Sequence, residues 1–169
     1  HISEGKIRYI AASQHSGARL QHALDTAKAN NLASYIALQD HYNLITRNPF
    51  EAEQAAVVTK NGLSALPFYG LAKGFLSGKY RPGVTVESVR AEAVKEYMTP
   101  TGWAIIDALD AIAKNHGASL SAVALAWLRS NPAVSAPIAS ARTVEQLLGI
   151  IQIVKLTSDE VEQLNTASR

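Results

Sequence analysis

LPFYGLAKGFLSGKY, residues 66–80, sets an adjacent pair of aromatics, three glycines and two lysines directly behind a short apolar run. One glycine is enough to end a strand, so the repeated glycines indicate a backbone that comes close to a ligand. The stretch opens the longest connection in the chain, for which we predict only short helical pieces before Pro100. Five residues break this connection: Gly70, Gly74, Gly78, Pro82 and Gly83. Because long loops in compact domains tend to be functional, we expect a binding function here.

The apolar run before this stretch is one of four that alternate with segments of helical periodicity. The runs cover residues 6–13, 34–39, 63–69 and 133–140. Alternation of strands and helices predicts parallel pairing through right-handed crossovers, and therefore an α/β fold. No linker or internal repeat interrupts the pattern, so we expect one domain over residues 1–169.

Helical spacing of apolar residues predicts a helix at residues 18–31 and another from about Phe50 to Asn61, closed by Gly62. Beyond the long connection, the spacing predicts a helix that ends near Gly117. Ser119 then caps the next helix.

Two capping boxes open the last two predicted helices. Thr143 pairs with Gln146 in the first box, and Thr157 pairs with Glu160 in the second.

The composition excludes several classes of function. The chain has 169 residues, is 47% hydrophobic and 18% charged, and contains no cysteine, which fits one globular domain without disulfides, a thiolate nucleophile or a cysteine metal site. We expect a reducing, cytoplasmic location. The net charge is +2 and the basic residues are scattered singly, so no nucleic-acid partner is expected. No window approaches about 18 consecutive apolar residues, and the first ten residues lack the apolar core of a signal peptide, so no membrane partner is expected.

Polar side chains collect where the predicted strands end, which is the ligand side of α/β folds. Amide and hydroxyl groups suited to a carboxamide follow the first two strands: Ser13, Gln14, Gln39 and Asn43. Phe68 or Tyr69 offers a stacking face, the glycine-rich backbone suits a diphosphate, and Arg142 beside a helix start suits a phosphate. Together these groups predict a nicotinamide dinucleotide site, although no GxGxxG fingerprint follows any strand.

Each of these residues also has a purely structural explanation. Phe68 and Leu71 can be core packing, Gln146 can serve only the cap, and Gln39 can be a buried polar group satisfied by backbone. Asp40, His41 and Tyr42 suggest an acid-base cluster, yet neighbours along a strand point to opposite faces and are not expected to converge. These alternatives remain open on the residues alone.

Five segments resemble, in order and spacing, the C-terminal half of the aldo-keto reductases. They are GKIRYIAAS (5–13), LQDHYNLITR (38–47), LPFYGLAKGFLSGKYR (66–81), SAVALAWLRSNPAVSAPIASARTVEQL (121–147) and KLTSDEVEQL (155–164). The resemblance covers essentially the whole chain. It implies a (β/α)8 barrel that reduces an aldehyde or ketone substrate with NADPH, of which this chain holds strands five to eight.

The resemblance also implies cofactor roles for ten residues. Ser13, Gln14 and Gln39 match the positions around the nicotinamide carboxamide, with Gln14 where the family often has Asn. Phe68 matches the ring that stacks on the nicotinamide. The remaining six match the diphosphate loop (Leu71, Lys73 and Gly74) and the segment around the 2′-phosphate and adenine (Ser140, Arg142 and Gln146). Gly149 and Ile150 depart from the Glu-Asn pair that the family often places on the adenine.

The family's catalytic Asp, Tyr, Lys and His lie in its N-terminal half, so the resemblance implies no catalytic residue in this chain. We also expect no metal site. His1, Lys6 and Tyr9 do not match those positions. Four strands of a closed barrel also leave two unpaired edges. We therefore expect an N-terminal half-barrel that precedes this chain, a dimer of half-barrels, or a separate chain that supplies the other strands. A non-catalytic, nucleotide-sensing subunit built on the same barrel is the alternative function.

Overall fold

A short parallel sheet organises the chain. In the computed structural model, which describes residues 1–84, 86 and 91–169, the strands are β1 (Ile10–Ser13), β2 (Tyr35–Gln39) and β3 (Ser64–Ala65), in that order across the sheet. Ser13 lies opposite Gln39, and Leu38 lies opposite Ala65. The predicted α/β class and parallel pairing are confirmed. The sheet is open rather than closed into a barrel.

The fourth apolar run forms a single bridge rather than the predicted strand. Val134 pairs in parallel with Ala65, and the Ile138 N–H donates to the Pro67 carbonyl oxygen at 2.7 Å, so the run still continues the sheet order. Pro137 has no N–H to donate, which prevents a regular ladder through the middle of the run.

The helices lie where the periodicity predicts them. They are α1 (Gly17–Ala29), a π-helical turn (Phe50–Gln54) that continues into α2 (Ala55–Lys60), α3 (Pro100–His116), α4 (Leu120–Ser130), α5 (Val144–Ile150) and α6 (Ser158–Ala167). The long connection holds two short 3-10 segments, Ala72–Ser77 and Glu92–Tyr97, as expected. Its residues 85 and 87–90 lie outside the described part of the chain. No helix in the described part has the length and apolar character needed to cross a membrane.

Both predicted capping threonines accept a backbone hydrogen bond, but only one box is complete. Thr157 and Glu160 cap each other at the start of α6. Thr143 accepts the Gln146 N–H at 3.2 Å, whereas the Gln146 side chain accepts the Arg142 N–H at 3.0 Å. The box predicted at Thr143 is therefore wrong in its second half, because the Gln146 amide reaches one residue further back.

The core lies between the sheet and the helices, and two apolar surfaces remain outside it. Leu20, Leu38 and Phe75 are fully buried. In contrast, α5 contributes no buried residue, and Leu147, Leu148, Ile151 and Ile153 are exposed. Tyr9, just before β1, and Ile36 of β2 are also exposed. The chain thus presents apolar area on two sides.

Glu160 connects the start of α6 to the end of α3. Its carboxylate accepts the Thr157 N–H and the His116 Nε2–H, both at 2.8 Å. These contacts, with the Thr157 N–H as the larger cause, lower the pKa of Glu160. An acid whose pKa is lowered by folding stabilises the protein above its unfolded pKa of about 4.3, and this stability is lost as the pH falls.

We expect Glu160→Gln, which keeps an acceptor oxygen but cannot titrate, to weaken the acid dependence of stability. The free energy of unfolding, measured by urea titration, should fall less between about pH 6 and about pH 3 than in the wild type. At neutral pH the substitution should lower the free energy of unfolding by no more than a helix cap contributes, about 1 kcal/mol. Glu162→Gln on the same helix is the control, and an unchanged acid slope in Glu160→Gln would contradict the role given to Glu160.

Candidate functional site

A groove of about 600 Å³ runs beside the Ala72–Ser77 segment and gathers most of the residues that the sequence singled out. Its walls come from the long connection and from the starts of α4 and α5. Six of the ten predicted cofactor residues line it: Leu71, Lys73, Gly74, Ser140, Arg142 and Gln146. Gly149 and Ile150, the two departures from the family pattern, line it as well. Two segments far apart in sequence therefore form one concave surface.

Phe68 lies in a smaller cleft that adjoins this groove. The cleft has a volume of about 220 Å³ and shares Leu71, Lys73, Gly74 and Ser140 with the groove. Tyr69 and Ile138 complete its apolar walls. An exposed aromatic face thus continues directly into the polar groove.

Ser13, Gln14 and Gln39 line neither cleft, but they lie at the same end of the sheet. Ser13 is opposite Gln39, and the Gln14 N–H donates to the Gln39 carbonyl oxygen at 3.0 Å. One residue further, the Phe68 N–H donates to the Asp40 carbonyl oxygen at 2.9 Å. The strand ends therefore form a continuous edge from Ser13 through Gln39 to Phe68.

The three glycines of the opening stretch serve two different purposes. A Cβ at Gly70 would lie 3.0 Å from Leu128 Cδ1, so Gly70 lets the loop approach α4 rather than a ligand. This corrects the interpretation that all three glycines face a ligand. Gly74 and Gly78 have φ of +97° and +76°, which glycine adopts without strain.

Three non-glycine residues beside these glycines also adopt left-handed backbone. Tyr69, Ala72 and Lys73 have φ of +52°, +46° and +55°. Such conformations cost free energy in residues with a Cβ and are concentrated at functional sites. The concentration supports a functional role for this loop.

Lysine and arginine side chains make the groove positively charged. Lys73 pairs with Glu96 at 2.8 Å and lies over the rings of Tyr69 and Tyr97, at 5.8 and 5.6 Å from their centres. The hydrogen bond with Glu96 raises the pKa of Lys73 and lowers that of Glu96. Arg142 lines the groove beside the start of α5.

Lys79 is a groove residue that the sequence reasoning missed. Its Nζ lies 4.9 Å from the centre of the Tyr80 ring, and the side chain lines the groove with Ser77, Ser119 and Ser121. The signal for Lys79 was the second lysine of the opening stretch, directly after a glycine. The serines carried no comparable signal, because Ser119 already served as a helix cap.

Asn43 is a structural residue rather than a ligand-binding amide. It is fully buried, and its Oδ1 accepts the N–H groups of Ile45 and Thr46, both at 2.9 Å. Its Nδ2 donates to the Tyr69 carbonyl oxygen at 2.9 Å and lies 3.2 Å from His41 Nε2. The expectation that Asn43 binds a carboxamide is wrong, because its hydrogen-bonding capacity is used within the protein.

The Asp40 and Tyr42 side chains turn to different partners and do not meet. The Asp40 carboxylate accepts the His41 N–H and the Gln54 amide. Tyr42 points the other way and donates to Glu51 at 2.8 Å, and burial raises the pKa of its hydroxyl.

Comparison with known proteins identifies the family to which the chain belongs. A model described as "Aldo/keto reductase family" matches residues 1–169, the whole chain. The chain belongs to the aldo/keto reductase family. Within it, the chain is 30% identical to a putative voltage-gated potassium channel subunit beta of Schizosaccharomyces pombe, over 97% of this chain and 51% of that protein. It is also 30% identical to versiconal hemiacetal acetate reductase of Aspergillus parasiticus, over 96% of this chain and 49% of that protein.

A solved family member has the same fold. The crystal structure of the thermostable aldo-keto reductase Tm1743, in complex with the inhibitor epalrestat, superposes with a TM-score of 0.73 at 24% identity, over 98% of this chain and 50% of that one. The aldo/keto reductase chain described here spans about half the length of the curated relatives it matches.

Proposed function

We propose that this chain forms strands five to eight of an aldo/keto reductase barrel and carries the NADPH site of a carbonyl reductase. One observation carries the proposal: the loop at Leu71 to Gly74 and the segment at Ser140 to Gln146, matched separately to the family's cofactor residues, line one groove. β1, β2, β3 and the 133–140 run, in chain order, would be the four strands.

The chemistry of the groove fits the phosphates of a dinucleotide. Lys73, Lys79 and Arg142 line it and supply positive charge, with Glu145 as a nearby acid. Arg142 and Gln146 at the start of α5 would hold the 2′-phosphate and adenine ends, since a guanidinium binds a phosphate with two hydrogen bonds. Lys79 would join Leu71, Lys73 and Gly74 along the diphosphate.

The edge from Ser13 to Phe68 fits the nicotinamide end. Phe68 offers its ring for stacking, and the Ser13 hydroxyl and the Gln39 amide would orient the carboxamide. When bound, NADPH supplies a hydride for reduction of an aldehyde or ketone. We assign the proton-donating Tyr, with its Asp, Lys and His partners, to the other half of the barrel and no catalytic residue to this chain. A cytoplasmic location suits a chain without cysteine.

Arg142→Ala tests the cofactor assignment. We expect NADP⁺ to lose about 1 to 3 kcal/mol of binding free energy and NAD⁺ to lose little, because NAD⁺ has no 2′-phosphate for the guanidinium to contact. Calorimetric titration of both cofactors into the completed barrel measures the difference. Arg19→Ala, at an exposed position of α1, is the matched control. An equal loss for both cofactors would refute the role of Arg142.

A non-catalytic, nucleotide-sensing subunit is the second candidate function. It is favoured by the similarity to a protein named as a putative potassium channel beta subunit, at the same 30% identity as the reductase. Both functions use the same groove, so binding does not separate them. Turnover with an aldehyde in the completed barrel does, and binding of NADPH without turnover would favour the sensor.

A further inference from the structure

We propose that His41, as a neutral imidazole, positions the Phe68 ring for the nicotinamide, and that protonation of His41 releases the cofactor. This inference rests on the proposed function. His41 acts through Phe68 and is therefore a positioning residue.

The two rings are neighbours on adjacent strand ends. His41 and Phe68 form a parallel bridge, and their rings stack with centres 5.4 Å apart and planes 20° apart. Tyr69 meets the same imidazole edge-on at 5.4 Å. Phe68 lines the cleft, whereas His41 does not line it. His41 lies beside the Phe68 ring, outside the cleft. The imidazole therefore determines where the Phe68 ring can rest.

Asn43 determines which form of His41 fits. Its amide nitrogen lies 3.2 Å from His41 Nε2 and also donates to the Tyr69 carbonyl oxygen. The Asn43 oxygen is held by the N–H groups of Ile45 and Thr46, so the amide cannot turn round to present an oxygen to the imidazole. Nε2 must therefore accept, and the proton of the neutral ring lies on Nδ1. If Nε2 were protonated, its N–H would face the Asn43 N–H, and neither group could accept a hydrogen bond from the other.

The charged groups around His41 act in both directions. Lys73, from the Ala72–Ser77 segment, opposes a positive imidazole, while Asp40 and Glu96 favour one. The Asp40 carboxylate already accepts the backbone N–H of His41 and the side-chain amide N–H of Gln54, and Glu96 is paired with Lys73. Burial is the largest influence and Lys73 the next, so the pKa of His41 is lowered. The imidazole is neutral at neutral pH and takes up a proton only as the solution becomes acidic.

The test measures NADP⁺ binding by calorimetry from about pH 8 to about pH 5, on the complete gene product that contains this chain. If only the form with neutral His41 binds, the dissociation constant rises by up to about tenfold for each pH unit below the His41 pKa. His41→Phe keeps a stacking ring and cannot be protonated, so it should lose this rise. His22→Phe, the same change at an exposed histidine of α1, should keep it. Titration of the 2′-phosphate is common to all three proteins and cancels in the comparison.

Two outcomes overturn the inference in different ways. If His41→Phe keeps the pH dependence of the wild type, the role of His41 is wrong while the cofactor site stands. If the wild type binds no NADP⁺ at about pH 8, the proposed function fails, and NMR of the ligand-free protein decides the role of His41. Phe68 ring shifts that follow the His41 titration would then support positioning, and shifts independent of it would overturn positioning.

Discussion

Reduction of an aldehyde by NADPH is expected to be undetectable for the 169-residue chain alone and to appear when the first half of an aldo/keto reductase barrel is supplied. We assign the proton donor to that half. General acid catalysis is worth about 10²- to 10⁴-fold, and donors to a developing oxyanion add about 10²- to 10³-fold. Without these groups the rate should fall below the sensitivity of a spectrophotometric assay.

The open sheet is a second reason to expect no activity from the chain alone. The exposed apolar side chains of α5, with Tyr9 and Ile36, favour self-association. The edge from Ser13 to Phe68 is also poorly preorganised without strands on both sides. We expect size-exclusion chromatography with light scattering to show dimers or larger species for the chain alone. Co-expression with the first half should give a 1:1 complex.

NADPH oxidation by the co-expressed halves measures recovery, and a first half whose catalytic Tyr is replaced by Phe is the control. A monodisperse monomer of the 169-residue chain that reduces aldehydes by itself would contradict the assignment. Tyr69, which has Lys73 over its ring, would then be the residue to replace first.

Gly102→Ala is expected to lower the stability of the chain by about 3 kcal/mol or more. Gly102 lies in the first turn of α3, where its N–H donates to the Thr99 side chain at 3.1 Å. A Cβ at this position would overlap the Tyr97 carbonyl oxygen and crowd the Phe75 ring. Because one of these neighbours is backbone, relief requires a shift of the whole turn before α3. Thermal unfolding should show a fall in Tm of roughly 10 °C.

Gly149→Ala provides the matched control within a helix. The nearest atoms to an added Cβ there are the Ser119 Oγ and Cβ, at 3.6 and 3.7 Å, which is ordinary contact. Alanine should therefore stabilise α5 by about 0.5 to 1 kcal/mol, the usual helix preference over glycine. Equal effects of the two substitutions would show that packing against Tyr97 does not limit position 102.

Much of the fold was predictable because its signals are local. Capping side chains such as Ser119 and Thr157 mark helix starts within a few residues. The alternation of apolar runs with helical segments predicts that the strands pair in parallel. The absence of a regular fourth strand was also predictable, since Pro137 lies inside the apolar run at residues 133–140. The π-helical turn before α2 has no sequence signal that we recognise.

Which residues line the groove was more predictable than what each of them does there. Arg142 and Lys73 share the groove as expected, because loops at one end of a parallel sheet converge. Asn43 was misjudged, since a sequence does not reveal which hydrogen bonds an amide already makes inside the protein. Gly70 was misjudged for a related reason: close approach to α4 and close approach to a ligand demand the same residue.

The order of pairing in the sheet has a consequence for folding. Each early strand pairs with the next along the chain, so β1, β2 and β3 with their helices can assemble as synthesis proceeds. The bridge between Ala65 and Val134 instead closes a loop that contains the long connection, α3 and α4. Closing the longer loop costs more entropy, so this pairing should form last. The long connection forms one wall of the groove. Under the proposed function, a bound nucleotide would therefore stabilise this last step of folding. Until that step is complete, the long connection of the nascent domain would be open to proteolysis.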